Sequence, residues 1–242
     1  MEYRVKKAFL LVAGLGTRLQ PLTNRVPKCL VPIRGRPLLR IWFDICERLG
    51  VEEVLMNTHH LAEVVETWVK QETTRLRVHL YHEKILLGSA GTVAANREFV
   101  GTDQDFYVFY GDNLMCADLS SFTAFHMTHP GVLTVGLFQP ARPESCGIVT
   151  LDASGCVTHF EEKPDRPQSN LANAGIYIAR RSLFDFLPRN GFADFGRDVM
   201  PGLVGRMWGR LLGGYLLDIG TFENYQRAQE DWPGLQLGVS AT

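Results

Sequence analysis

The sequence predicts an α/β fold: a mostly parallel central sheet flanked by helices, followed by a smaller, mixed β-rich part. Three observations carry this. Short apolar runs at residues 8–13, 51–57, 78–81 and 106–110 alternate with amphipathic segments, and the first and last are apolar almost throughout. Strands apolar on both faces and separated by helices belong to a parallel sheet covered on both sides. Beyond residue 130 the strand-like runs come at closer intervals, with turn residues instead of helices between them.

The elements follow in order. Residues 8–13 come after Arg4, Lys6 and Lys7, an arrangement that also suits a secretory leader. The run is shorter than a leader's apolar core and far shorter than a membrane span, and Gly-Thr-Arg cuts it off, so it is read as a central strand. Pro37 opens a helix on which Leu38, Ile41, Trp42, Ile45 and Leu49 recur at three- and four-residue steps, and Gly50 ends it. A strand at 51–57 precedes a helix marked by Leu61, Val64, Val65 and Trp68; then come a strand at 78–81 and a helix at 90–99. The strand at 106–110 stops at Gly111-Asp112-Asn113. The second half offers strands at 132–138, 147–151, 156–161 and 174–179, a hairpin turn at Asp152-Ala153-Ser154-Gly155, and helices near 181–187 and 221–232. With no repeat, low-complexity stretch or linker, residues 1–242 are expected to form one domain whose halves meet near residue 115.

Composition narrows the class. A chain of 242 residues with 45% hydrophobic and 21% charged residues suits an ordinary soluble core, and a net charge of −1 gives no reason to expect nucleic acid or a membrane as partner. The five cysteines are odd in number and widely spaced, which argues against a disulfide framework or a zinc site and for reduced thiols in a cytoplasm. His59 and His60 are read as a strand-to-helix junction, and His126 and His129, about one helical turn apart, lack carboxylate or thiol partners nearby, so neither pair is read as a metal site.

The chemistry concentrates after the first strand. Gly14 and Gly16 can take positive φ and let the main chain approach a ligand with no Cβ in the way, so that successive amides point at one anion; Arg18 offers a planar fork for phosphate oxygens, and Lys28 a compact charge. The dinucleotide fingerprint fails because Leu19 stands where its third glycine belongs, and no Walker A loop is present. Asp112 and Asp218 both fall where a strand releases into a loop, and two such carboxylates can share one Mg²⁺.

The pattern Gly-x-Gly-Thr-Arg-Leu-x-Pro-Leu-Thr followed by Pro-Lys-x-Leu-x-Pro resembles the signature of the sugar-1-phosphate nucleotidyltransferases, and the likeness covers nearly the whole chain. The resemblance implies a Rossmann-like nucleotide-binding half over about residues 1–115 and a sugar-phosphate-binding half beyond it. It places nucleotide contacts at Leu11, Ala13, Gly14, Gly16, Thr17 and Gly111, catalytic cations at Arg18 and Lys28, and Mg²⁺ on Asp112 and Asp218. Glu162-Lys163-Pro164, Gly147 and Asn173 match its sugar-phosphate segments. The stretch from Glu83 through Gly88 and Ser89 is similar to that of mannose-1-phosphate and heptose-1-phosphate guanylyltransferases, so GTP is the favoured nucleotide; a helix start capped by Ser89 explains the same residues without a ligand. Because the chain ends soon after Asp218, no C-terminal β-helix is expected. The same chemistry on dTTP or UTP with glucose 1-phosphate or a cyclitol phosphate stays open, as do a non-catalytic nucleotide-sugar sensor and the oligomeric state, a homodimer included.

Overall fold

A computed structural model describes residues 4–235. In chain order its regular elements are β1 (Lys7–Leu11), β2 (Pro32–Ile33), β3 (Arg36–Pro37), α1 (Leu38–Arg48), β4 (Glu53–Thr58), α2 (Ala62–Gln71), β5 (Arg77–His82), α3 (Gly88–Ala95) and α4 (Arg97–Val100). There follow β6 (Asp105–Tyr110), β7 (Asn113–Ala117), α5 (Leu119–His126), β8 (Leu133–Phe138), β9 (Gly147–Leu151), β10 (Val157–Glu162), β11 (Leu171–Arg180), β12 (Met207–Leu211), β13 (Gly214–Asp218) and α6 (Phe222–Asp231).

A nine-stranded sheet runs β10-β9-β11-β6-β1-β4-β5, with β8 and β12 branching from β11. Strands β6, β1, β4 and β5 pair in parallel, whereas β11 lies antiparallel to β6, β8 and β9. The β-rich second half therefore extends the same sheet and is not a second sheet beside it. The hinge is Gly175, at φ 67°, where β11 slips register and a side chain would strike the ring of Tyr110.

Alternation along the buried strands feeds two cores. Ala8, Leu10, Tyr107 and Phe109 face α1, α2, α5 and α6, while Phe9, Phe106 and Val108 face α3 and the turns over residues 195–203. Such two-sided burial is why β1 and β6 are apolar throughout after their first residues, Lys7 and Asp105. The helix expected over 90–99 is two helices, because Asn96 breaks the path between α3 and α4; the one expected over 181–187 is a 3₁₀ turn at Arg181–Asp185. No helix among the described residues is long and apolar enough to cross a membrane.

One small element matters more for the site than its size suggests. Strands β7 and β13 form a separate antiparallel ribbon in which Asp218 pairs with Asn113, so two aspartates more than a hundred residues apart in sequence arrive side by side. The indole N–H of Trp42 donates to the Asn113 carbonyl at 2.9 Å and fixes the ribbon to α1.

Candidate active site

A cleft of about 310 Å³ opens beyond the carboxyl ends of β1, β4 and β6. Open parallel sheets bind ligands at that end. Leu11, Ala13, Gly14, Lys28, Glu83, Gly88, Ser89, Gly111 and Asp112 line it, so nine of the residues singled out from sequence meet there. Gly16, Thr17 and Arg18 lie on the loop outside this lining, and Arg18 is largely exposed.

The two glycines of the loop divide its work. Gly16 takes φ 65° and packs so closely on Thr23 that a Cβ would come within 2.9 Å of it, but Gly14 is not in the left-handed region and a Cβ there would meet nothing within 4 Å. Gly14 keeps the cleft clear and Gly16 makes the turn. Gly111 is held between strands, with Val12 2.5 Å from where its Cβ would stand.

Lys28 is 8% exposed, and its ammonium is the charged centre of the cleft. Its Nζ lies 2.9 Å from Asp112 Oδ2 and 3.5 Å from Asp218 Oδ1. Asp218 Oδ1 also accepts the Gly220 N–H at 2.7 Å, and Asp218 Oδ2 lies 3.8 Å from Arg18 Nη2. Cys29, next in sequence, lines the cleft, but burial pushes its thiol up to about 12 and keeps it from serving as a nucleophile near neutrality.

On the side of the base-reading segment the sequence expectation needs correction. Ser89 does not cap α3: its hydroxyl donates to Asp194 Oδ2 at 2.8 Å and accepts from the Tyr110 hydroxyl and the Phe195 N–H. The tight approaches at Gly88 and Gly91 are to the backbone of residues 191–193, with Ala193 O 2.4 Å and Gly191 O 2.7 Å from the would-be Cβ atoms. These glycines seat one protein segment on another. Asp194 and Asn57, which sequence reasoning missed, also line the cleft. Asn57 carried a signal: a polar residue closing an apolar strand at the level of the glycine loop.

The residues matched to sugar phosphate form a second group. The Glu162 carboxylate lies against Gly147 and Gly196, where a Cβ would come within 2.6 and 2.5 Å of it. Burial holds its pKa above the usual carboxylate range and Asp194 adds to the shift, while Lys163 opposes it. Lys163 takes φ 51° and is pinned by its N–H to the Cys146 carbonyl. The Asn173 amide donates to the Tyr177 hydroxyl at 2.7 Å and accepts from the Gly175 N–H at 3.0 Å, which anchors the bend in β11.

Comparison with known proteins places the chain in a family. The sequence profile of the nucleotidyl transferase family matches residues 7–233. The chain belongs to this family. A similar relative is the mannose-1-phosphate guanylyltransferase catalytic subunit beta of Xenopus tropicalis, 31% identical over 225 residues, which are 90% of this chain and 62% of that protein. A UTP–glucose-1-phosphate uridylyltransferase of Synechocystis is 31% identical over 215 residues, 82% of this chain and 55% of its own length. The chain thus spans about three fifths of the length of the mannose-1-phosphate guanylyltransferases it matches. Among solved structures, a putative glucose-1-phosphate thymidylyltransferase from Bacillus anthracis superposes with a TM-score of 0.80 at 22% identity, covering 93% of this chain and 94% of that one.

Proposed function

We propose that this family member is a sugar-1-phosphate nucleotidyltransferase, with GTP as favoured nucleotide and a mannose- or heptose-type sugar 1-phosphate as acceptor. The observation that carries the reading is the convergence of Lys28, Asp112 and Asp218 on one point of a cleft floored by the glycine loop. In the reaction an oxygen of the sugar phosphate attacks the α-phosphorus in line; the bond to the bridging oxygen of the β-phosphate breaks, and pyrophosphate leaves with its electron pair. The nucleophile is already an anion, so no covalent enzyme intermediate is needed.

Catalysis is then positioning and charge neutralisation. Arg18 grips the β- and γ-phosphates, and Lys28 balances the charge that builds at the transferring phosphorus. Lys163 receives the sugar phosphate, while Glu162 and Asn173, with the Gly147 main chain, take the sugar hydroxyls. Leu11, Ala13, Gly14, Gly16, Thr17 and Gly111 surround the nucleotide phosphates and ribose, and Glu83, Gly88 and Ser89 form the base side. The carboxylates suit Mg²⁺ in kind: both are hard oxygen donors, and both already face one cation, the Lys28 ammonium, at 2.9 and 3.5 Å. Held by Asp112 and Asp218, Mg²⁺ would supply charge neutralisation to the triphosphate. Residues up to about 115 serve the nucleotide and those beyond serve the sugar phosphate, in one domain working in the cytoplasm.

Guanine is favoured because the segment from Glu83 to Gly91 is similar to that of guanylyltransferases, and a relative of that name is 31% identical. The equal identity to a uridylyltransferase supports UTP with glucose 1-phosphate as the second reading. Pyrophosphate release is the test, with Mg²⁺, crossing GTP, dTTP, UTP, CTP and ATP against a panel of sugar 1-phosphates, and Asp112→Asn as control. Release that needs both substrates and disappears in the variant is the expected result. Nucleotide-sugar binding with no release on any pair would point to a sensor or to a sugar outside the panel.

A further inference from the structure

Asn57 ends β4 with its carboxamide buried and every hydrogen-bonding position used. Its Oδ1 accepts from the main-chain N–H groups of Val12 at 2.8 Å and Ala13 at 3.3 Å, the residues that lead from β1 into the glycine loop. Its Nδ2 donates to Glu83 Oε1 at 3.0 Å and to Thr92 Oγ1 at 3.2 Å. The single Thr92 hydroxyl proton has two acceptors in reach, Glu83 Oε1 at 2.5 Å and the Gly88 carbonyl at 2.9 Å, and the shorter, charged contact to Glu83 takes it; the Leu87 N–H donates to Glu83 Oε2 at 3.0 Å. The partners fix which way the amide points: reversed, it would set its oxygen against a carboxylate and its NH₂ against two N–H donors.

A carboxylate has about four acceptor positions. Three on Glu83 are taken by Asn57, Thr92 and Leu87, which leaves one on Oε2, and Glu83 lines the cleft. The glycine loop and the segment from Glu83 to Thr92 are separate stretches of chain, and the Asn57 side chain bridges them. We propose that Asn57 is a positioning residue for nucleotide binding: it locks the phosphate-loop amides and the Glu83 carboxylate into one rigid unit, so that the base and the triphosphate of one ligand are held in fixed register. A ligand touching both walls then loses little to ordering them. The inference rests on a nucleotide occupying this cleft, but not on transfer taking place.

Binding is therefore the readout, and turnover is kept apart from it. Wild type, Asn57→Asp, Thr92→Val and Asn57→Ala are titrated calorimetrically, without sugar phosphate, with the nucleoside triphosphate that wild type binds best and with inorganic tripolyphosphate. Asn57→Asp keeps an acceptor for Val12 and Ala13 but turns a second carboxylate on Glu83; Thr92→Val removes the hydroxyl and keeps the shape. Both are expected to lose at least about tenfold in nucleotide affinity and less than about twofold for tripolyphosphate, whereas Asn57→Ala weakens both ligands. Equal losses for the two ligands in Asn57→Asp and Thr92→Val, or no loss for the nucleotide, overturn the proposal. A wild type that binds no nucleotide overturns it together with the functional reading, and one that binds with this split yet releases no pyrophosphate overturns transfer alone.

Discussion

A lysine that is 8% exposed needs partners for its charge, and Lys28 has two carboxylates of the cleft as its own. The ammonium thus serves the ligand-free chain as well as the reaction: it balances Asp112 and Asp218, which would otherwise face each other as like charges. Lys28→Met keeps most of the length and removes the charge. Turnover is expected to fall by about 10²–10³, the usual loss for one group aimed at developing charge, with nucleotide affinity changing much less. Thermal unfolding adds a readout that turnover lacks: the variant melts lower than wild type without metal, and added Mg²⁺ raises its melting temperature more than that of wild type. An unchanged rate would remove Lys28 from the mechanism, and an equal Mg²⁺ response would detach it from the carboxylates. Cys29, beside it, shows the opposite use of burial, since its raised thiol pKa takes a nucleophile out of the cleft.

At the scale of elements, the cleft is made where separate segments are pressed together, and two glycines of its lining bear on that packing unequally. Gly88 takes φ 75° with Ala193 O only 2.4 Å from its would-be Cβ, and the Ala90 and Gly91 amides donate to the same carbonyl. Gly88→Ala is expected to cost about 1–3 kcal/mol in urea unfolding for the strained backbone alone, and to push Asp194 away from Ser89. Gly14→Ala meets nothing and should leave stability within about 0.5 kcal/mol, so any loss it brings is a loss of nucleotide binding. Equal destabilisation by the two would refute the distinction. These elements also mark what the sequence made legible. The parallel strands were readable because β1 and β6 are apolar on both faces, and the meeting of Asp112 with Asp218 because each stands at a strand end. The β7–β13 ribbon was not: its strands are five residues each, and β7 follows β6 after only Gly111 and Asp112. Asp194 was hidden behind an ordinary role, since it caps the turn after it by accepting from the Gly196 and Arg197 amides. Ser89 was read as a cap because the tertiary partner that claims its hydroxyl is 105 residues away.

Across the whole molecule, β6 joins two polar centres: Gly111 and Asp112 at its carboxyl end and, at its start, a buried group around Asp105 with His126, His129, Thr134 and Arg180. His129 stacks on Trp208 at 4.8 Å; its Nδ1 accepts the Gly131 N–H, which leaves Nε2 to face the Thr134 hydroxyl, and that hydroxyl also meets His126 Nδ1. Arg180 donates to the carbonyls of both histidines. Burial, then the neighbouring His126 and Arg180, lower the His129 pKa from 6.5 to about 4. The folded chain therefore refuses a proton that the unfolded chain accepts, so the contribution of His129 to stability is complete above 6.5 and is lost as pH falls toward about 4. In that window one proton sets a slope of at most about 1.4 kcal/mol per pH unit. His129→Gln does not titrate: urea unfolding between pH 7 and 4.5 should show a shallower fall in stability than wild type, from a lower starting value. Parallel slopes would show that His129 is not the group that titrates. Because this group lies at the far end of β6 from Asp112, the variant's nucleotide affinity at neutral pH should match wild type, and a changed affinity would mean that the two ends of the strand are coupled.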